Sequence, residues 1–284
     1  MRYELPVGNL NVKYASEIDG TIKFEEASHQ YEVDWGEGFT TSRIVSVSKV
    51  YKQYFGEFDP DATLATMRAR PTWSKSKYFG MTNEAIKGQW VVLGDRARDE
   101  GTQHHLLCER YYTHSEIIRP YSRAFGQFLQ FAVDNQHRTP FRTEWRLRTN
   151  EALSVCGTPD MVYFSDTPGP EVDTLYLSIF DWKLIKKLSK FGFGKTGSGP
   201  LAGLPDSNYF HYAIQLNMYR HMLEHFYRDI VIDGKKYSRI HVDKLVVVVM
   251  HSTKRKYEQV ELPDYRARAA QIFDLHALAQ SRQI

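Results

Sequence analysis

The spacing of hydrophobic positions changes along the chain, and these changes predict the order of its secondary-structure elements. Residues 24–54 are rich in aromatic and β-branched side chains around a break at residues 36–38, which predicts short strands joined by a turn. The following stretch is typical of helices. They are predicted from Asp59 to about Arg70, from Thr82 or Asn83 to about Arg98, and over residues 101–112 and 121–135.

The hydrophobic spacing then changes to a period of two, which indicates strands. Three strands are predicted in succession, at residues 141–149, 154–164 and 175–183. Pro168, Gly169 and Pro170 predict a turn between the last two strands, because these residue types favour turn conformations. The pattern therefore predicts an antiparallel meander.

A long irregular segment, residues 188–208, follows the meander and carries five glycines and two prolines. Loops of this length in compact domains are usually functional or mobile. The strongest predicted helix comes next at residues 209–227, then strands at 245–251 and 257–260 and a helix from Pro263. This order predicts an α/β or α+β fold, with a central mixed sheet flanked by helices. Residues 1–98 are expected to form an N-terminal extension packed on a core of residues 99–284.

Composition narrows the functional classes only slightly. The 284 residues, 42% of them hydrophobic, can bury a sizeable core, and a formal charge of +3 is compatible with a polyanionic partner. Two cysteines give no disulfide framework, so we expect a reducing intracellular compartment, the cytoplasm or the nucleus. The first residues lack the pattern of a secretory signal, and the longest apolar run, residues 245–250, is too short for a membrane helix.

The third predicted strand carries the candidate chemistry. In FDWK, Asp181 and Lys183 are two positions apart and share one face, while Trp182 points to the other. In GTPD, Asp160 occupies the neighbouring strand, so the predicted hairpin can bring both acids together. Two such carboxylates repel each other unless a hard cation lies between them, and Mg²⁺ prefers oxygen ligands. A DxK pattern alone usually marks an exposed ion pair. The prediction of a metal site therefore depends on the combination of DxK with GTPD.

Two further groups could join this site. His105 and Glu109 are four apart on one helical face, and a neutral imidazole is a common metal ligand. His104 stands beside His105, so spacing alone leaves the choice between them open. Glu144 could supply a third carboxylate or could simply face solvent.

An ordered set of motifs resembles a known family. GT-x-x-H-x-x-x-E, a later Glu, GTPD, DWK and QLNMY occur in that order over residues 101–219. This order is similar to that of the RecB-like branch of the PD-(D/E)xK nuclease superfamily. Longer stretches, among them DWKLIKK and GPLAGLPDSNYFHYAIQLNMYRHMLE, also resemble nuclease-like proteins of large DNA viruses. The resemblance implies a restriction-endonuclease-like core with N-terminal strand and helix additions.

The resemblance also implies residue roles. Asp160 and Asp181 would bind Mg²⁺, or Mn²⁺ in its place, together with His105 and the carbonyl group of Trp182. Lys183 would be the catalytic lysine, and Glu144 is a further candidate catalytic acid. Gln215 and Tyr219 would form a QxxxY motif near the DNA, although as a helical stripe they also fit ordinary core packing.

Two charged segments need separate interpretation. Lys186, Lys187, Lys190 and Lys195 lie in a stretch without acids. Charge runs are usually only solvated faces, but the position of this one directly after the candidate catalytic strand favours contact with DNA phosphates. The segment from His221 to His225 spells H-x-x-E-H, a pattern of some zinc proteases. It lies on a different helical face from Gln215, and no third-ligand motif follows, so the zinc-hydrolase interpretation is a minor alternative.

The combined expectation is a metal-dependent DNA nuclease that acts on single-stranded DNA or duplex ends. By resemblance it would be an exonuclease that leaves 5′-phosphates. Endonuclease action is one alternative, and a catalytically inactive nucleic-acid-binding protein of the same fold is another. The sequence leaves open whether the substrate is DNA or RNA.

Overall fold

The structure is a computed structural model and describes residues 9–25, 28, 30–36, 40–41, 44–119 and 121–282. Of the turn predicted at residues 36–38, only Gly36 belongs to these residues, and most of the N-terminal segment examined for a signal lies outside them. The helices are α1 (Leu10–Lys13), α2 (Val47–Lys52), α3 (Pro60–Arg68), α4 (Asn83–His114), α5 (Arg123–Asp134), α6 (Asn208–Phe226) and α7 (Arg266–Ser281).

In the part of the chain that the structure describes, the strands form one main sheet and three small ones. They are β1 (Ile22–Glu25), β2 (Gln30–Asp34), β3 (Thr40–Thr41), β4 (Val45–Ser46), β5 (Pro140–Thr143), β6 (Leu147–Arg148), β7 (Val155–Gly157), β8 (Met161–Phe164), β9 (Thr174–Leu184), β10 (Ile230–Ile232), β11 (Lys235–Tyr237), β12 (Arg239–Met250) and β13 (Glu258–Glu261). The main sheet has the order β13-β12-β9-β8-β5. Its β5, β8 and β9 pair antiparallel, which confirms the predicted meander, and β9 pairs with β12 in parallel.

Helices cover both faces of this main sheet. Along β12, Leu245, Val247 and Val249 pack in a core formed largely with α2, α6 and α7. The alternate residues Val246, Val248 and Met250 pack in a second core with α4 and α5. Burial on both sides explains why β12 is a continuous apolar run rather than an alternating one. The fold is therefore a mixed α/β arrangement, with a mixed sheet between two helical layers.

Several element boundaries were predicted correctly because local capping residues define them. The Asp59 side chain accepts hydrogen bonds from the first amides of α3, and Thr82 caps α4 through the amide of Ala85. Helices α5 and α6 match their predictions closely, and residues 188–207 are irregular apart from a short 3-10 turn, Gly199–Leu201.

Other predictions were wrong. Residues 83–98 and 101–112 form the single helix α4, because Gly101 weakens a helix by only about 1 kcal/mol and does not end it. The expected boundary at residues 98–99 lies within this helix, and the division into an N-terminal extension and a core stays a prediction. Residues 47–52 form helix α2, capped by Ser46, instead of continuing a strand.

The first two strands of the predicted meander are each divided in two. The break after β5 falls at Glu144, whose φ of 45° is incompatible with a strand. The break after β7 falls at Thr158 and Pro159, where proline removes a ladder hydrogen bond. Both interruptions flank the candidate site. No helix in the described part of the chain is long and apolar enough to cross a membrane.

Candidate active site

The strand register brings the two predicted aspartates together. Strands β8 and β9 pair Met161 with Phe180, so one further step places Asp160 beside Asp181. The Lys183 Nζ lies 2.5 Å from Oδ2 of Asp181 and 3.9 Å from Oδ2 of Asp160. Both carboxylates therefore face the same amine, as strand periodicity requires for residues 181 and 183.

Backbone contacts fix the position of Asp160. Its Oδ2 accepts a hydrogen bond of 2.7 Å from the backbone N–H of Trp182. Its backbone carbonyl accepts hydrogen bonds from the Glu144 amide, at 2.9 Å, and from the Thr143 hydroxyl, at 3.0 Å. These contacts tie the ends of β5, β8 and β9 into one corner of the sheet. The turn of the chain at Glu144 is part of that corner.

His105 and Glu144 complete the cluster. The Nδ1 atom of His105, on α4, lies 3.5 Å from Asp160 Oδ2 and 3.4 Å from Glu144 Oε1. Potential ligand atoms of these three residues all lie within 4.8 Å of one another. His104 is buried instead in the core beneath α4, with its Nε2 atom 3.2 Å from the Met250 sulfur. The structure therefore places His105 in the cluster and His104 in the core, a choice that spacing in the sequence left open.

Burial makes the acids of the cluster poor at holding a negative charge. Burial and then the charge of Asp160 raise the pKa of Asp181 to about 7, although Lys183 opposes this shift. Burial likewise raises the pKa of Asp160 against the opposing charges of His105 and Lys183. Burial also raises the pKa of Glu144, with His105 opposing. The three carboxylates compete for the available positive charge.

The negative charges of the acids stabilise the protonated forms of the two bases. Burial alone would lower the pKa of His105, but Asp160 and Glu144 outweigh it and raise that pKa to about 9. Burial would also lower the pKa of Lys183, but Asp181 and Asp160 raise it above its usual range. Without a metal both bases therefore favour their protonated forms, and an ion that binds His105 would displace the proton from its imidazole.

This arrangement suits a divalent cation. Among the described residues, Asp181 Oδ2 is buried without a hydrogen-bond partner of good geometry, beside an amine that it contacts as an ion pair. Carboxylate oxygens with one imidazole nitrogen fit Mg²⁺ and, because of the nitrogen, fit Mn²⁺ better. The side chain of Trp182 is buried in the opposite face of the sheet, and a ligand role for its carbonyl stays a prediction.

Gln215 and Tyr219 lie one turn apart on α6, and Gln215 Nε2 donates to the Tyr219 hydroxyl at 3.2 Å. Tyr219 is only 4% exposed, so its ring has no surface to offer DNA in this structure. A Cβ added to Gly157 would lie 2.5 Å from that ring, which explains the glycine of GTPD. Tyr219 therefore packs behind the site, and Gln215 alone of the pair reaches the cleft beside it.

Two clefts flank the cluster. One, of about 450 Å³, is lined by Glu144, Glu109 and Thr158 among others. The other, of about 540 Å³, is lined by Lys183, Gln215 and two tyrosines, Tyr51 and Tyr212. Neither tyrosine was recognised from the sequence. Tyr212, whose ring centroid lies 5.0 Å from Lys183 Nζ, could have been found by its spacing of three residues before Gln215.

The predicted phosphate-binding lysines lie outside the cluster. Lys186, Lys187, Lys190 and Lys195 are all exposed on the segment that follows β9. Lys190 Nζ lies 4.4 Å from the centroid of the Tyr209 ring, at the start of α6. They form a basic border to the site rather than part of its chemistry.

The H-x-x-E-H segment has structural contacts instead of a site. The His221 and His225 rings stack with centroids 3.9 Å apart. The Glu224 carboxylate accepts hydrogen bonds from the Val242 amide, at 2.9 Å, and from two nitrogens of Arg266, at 3.0 and 3.1 Å. A carboxylate engaged in this way is not available as a catalytic base.

Comparisons with known proteins give little further information. The chain matches no family model and no curated protein. Among solved structures it is similar to one titled "Crystal structure of SSO0001", at 12% sequence identity and a TM-score of 0.30. The match covers 86% of this chain and 80% of that chain. A TM-score at this level supports no conclusion about fold family or activity.

Proposed function

We propose that this protein is a metal-dependent DNA nuclease with a PD-(D/E)xK core of the RecB-like type. One observation carries the proposal: the Lys183 amine lies 2.5 Å from a carboxylate oxygen of Asp181, on β9, and 3.9 Å from one of Asp160, directly before β8. The motif order along the sequence and the mixed sheet between helical layers are both compatible with such a core.

The side chains present account for the binding part of the reaction. His105, Asp160 and Glu144 would hold the ion, with Asp181 as the fourth protein group. When bound, Mg²⁺ or Mn²⁺ polarises a phosphoryl oxygen and lowers the pKa of a coordinated water. Without that positive charge, three carboxylates would repel a phosphodiester, which argues that the cluster does not bind DNA unaided.

Lys183 would position the attacking water and supply positive charge. Its amine is held at the cluster by Asp181 and opens onto the cleft that Tyr212 and Gln215 line. From there it can orient the attacking water and donate a hydrogen bond to the phosphate oxygens as negative charge accumulates on them. The hydrogen bond from the Trp182 amide would hold the Asp160 carboxylate in position for the ion.

Exonuclease action with a 5′-phosphate product is part of the same proposal, because RecB-like nucleases commonly process DNA ends. The test is digestion of 5′- and 3′-labelled single- and double-stranded DNA with Mg²⁺, Mn²⁺ or EDTA. We expect Mg²⁺ or Mn²⁺ to support cleavage by the wild type and no cleavage by Asp181→Asn.

The matched control is Asp173→Asn, which removes an exposed acid near the opposite end of β9 and should cleave normally. Labelled ends distinguish exonuclease ladders from internal cuts. DNA binding without turnover in every metal would instead favour a non-catalytic binding protein of the same fold.

A further inference from the structure

Two phenylalanines on the segment after β9 are exposed to solvent. Phe191 and Phe193 are 66% and 71% exposed, and their ring centroids lie 5.0 Å apart. We call residues 191–195 the aromatic turn. Adjacent exposed aromatic rings on an otherwise polar loop gain nothing from the core, so stability does not explain them.

The backbone of the aromatic turn adds to this cost. The Lys195 amide donates to the Gly192 carbonyl at 2.9 Å, which closes a four-residue turn. Phe193 and Gly194 at its centre have φ values of 51° and 86°. Glycine adopts this region freely, but a phenylalanine there costs roughly 1–2 kcal/mol. Phe193 is therefore held outward at an energetic cost, which is a feature of functional sites more than of ordinary loops.

The surroundings of the aromatic turn are basic. Residues 182–205 contain no acid, and the exposed side chains of Lys190 and Lys195 flank the two rings in sequence. The Arg70 guanidinium, which follows α3, lies 5.9 Å from the centroid of the Phe193 ring. Exposed rings combined with cations match the chemistry of an unpaired nucleic-acid strand, whose bases stack and whose phosphates are anionic. A duplex offers the phosphates but keeps its base faces stacked inside.

The aromatic turn is attached directly to the candidate active site. The Asp206 amide donates to the Lys195 carbonyl at 2.9 Å, and Asp206 lines the same cleft as Lys183. A Cβ on Gly192 would lie 2.6 Å from the Asp206 nitrogen, so the turn can pack against this cleft wall only with glycine there. A strand stacked on the turn would lie at the border of the cleft that contains the amine.

We propose that the aromatic turn binds single-stranded DNA by stacking bases on Phe191 and Phe193, and so makes an unpaired strand the preferred substrate. Lys190, Lys195 and Arg70 contact its phosphates. This inference rests on the proposed nuclease function for the identity of the substrate. The binding itself requires neither a metal nor cleavage, and it can be tested separately.

The test is fluorescence anisotropy in EDTA with a labelled thymidine oligonucleotide of about 20 residues and a blunt duplex of equal length. Phe191→Ser/Phe193→Ser should bind the single strand about 100-fold more weakly, or about tenfold per lost stack, and should bind the duplex as the wild type does. Phe58→Ser, which removes an equally exposed phenylalanine elsewhere, should bind both as the wild type does.

Two further readouts separate stacking from general charge. In Phe193→Trp, the added indole fluorescence should be quenched by the oligonucleotide, and affinity should be retained. In Lys190→Gln/Lys195→Gln, the slope of log K against log salt for the single strand should fall by about 1.4, at about 0.7 per phosphate contact.

Unchanged single-strand binding by the double phenylalanine variant would overturn the inference. An equal loss of affinity for the single strand and the duplex would also overturn it. So would a third result, in which the wild type binds phosphatidylserine vesicles and the double variant loses that binding but still binds the oligonucleotide. The nuclease proposal fails differently, through absence of cleavage in every metal. Phenylalanine-dependent single-strand binding without cleavage would leave the aromatic turn in place on a non-catalytic protein.

Discussion

Two regions of this protein carry spacings typical of metalloenzymes, and the structure treats them in opposite ways. Around Lys183, the buried Asp160 and Asp181 and the half-buried Glu144 have raised pKa values, and Asp181 Oδ2 lacks a hydrogen-bond partner of good geometry among the described residues. In the segment from His221 to His225, the Glu224 carboxylate is fully engaged with Arg266 and the Val242 amide.

The difference lies in whether polar groups have their interactions satisfied. A satisfied carboxylate stabilises the fold and gains little from a metal or substrate. An incompletely satisfied cluster costs folding free energy, and a bound cation can recover that cost. The sequence already favoured the first region, because no third-ligand motif accompanies the second, and the neighbours supplied by the fold show the physical difference between the two carboxylate sites.

The largest expected effect is on the rate of DNA cleavage, which should depend on the cluster around Lys183. Lys183→Met should lower the DNA cleavage rate by about 10³-fold, because it removes the amine that orients the attacking water and donates to the phosphate while keeping the side-chain volume. DNA binding should persist, since the exposed lysines remain. Cleavage rates and anisotropy measure both properties. Lys187→Met, an exposed lysine on the same segment, is the control, and a cleavage rate near wild type in Lys183→Met would refute the assignment.

Cation binding should stabilise the protein through the cluster around Lys183 and not through the segment from His221 to His225. Mn²⁺ at about 100 times its dissociation constant should stabilise the wild type by about 2.7 kcal/mol, which raises the melting temperature by several degrees. Asp160→Asn should abolish this rise because it removes a central ligand. His221→Ala should retain it. A rise that depends on His221 instead would move the metal site to α6.

The structural role of Glu224 should be visible in unfolding. Glu224→Ala should lower the free energy of unfolding by about 2 kcal/mol, because a buried amide loses its acceptor and the partly exposed Arg266 loses its partner. The DNA cleavage rate of the folded variant should not change. Urea denaturation measures the free energy of unfolding, and a cleavage assay measures the rate. The control is His225→Ala, at an exposed position on the same helix.

The smallest effect is a pH dependence at His221. Burial and the charge of His225, against Glu224 and Asp274, lower the pKa of His221 to about 4, below the value of about 6.5 in an unfolded chain. Its contribution to stability is therefore complete above about pH 6.5 and is lost as the pH falls towards 4. His221→Phe, which keeps the stack on Phe273, should lessen this loss by about 1 kcal/mol, allowing for partial exposure. If the free energy of unfolding depended on pH identically in the wild type and in His221→Phe, the assigned role of His221 would be contradicted.

The pairing of Asp160 with Asp181 was predictable from the sequence because it depends on local rules. Period-two alternation sets the face of each residue, and the Pro-Gly-Pro turn sets which strands are neighbours. The single helix α4 was not predictable in the same way, since one glycine shifts helix stability too little to decide its length.

Contacts between distant elements were beyond the sequence. The choice of His105 over His104 depends on Met250 and Asp160, which reach α4 from β12 and β8 only in the folded protein. The burial of Tyr219 against Gly157 is likewise a tertiary effect. Exposed Phe191 and Phe193 could have been noted as aromatics, but their positive-φ turn and solvent exposure required coordinates.

One measurement tests the central claim most directly: Mg²⁺-dependent cleavage of end-labelled DNA by Asp160→Asn and His221→Ala, compared with the wild type. The account predicts that Asp160→Asn loses cleavage by about 10³-fold and that His221→Ala cleaves at the wild-type rate. Wild-type cleavage by Asp160→Asn together with loss in His221→Ala would contradict it and place the hydrolytic centre on α6.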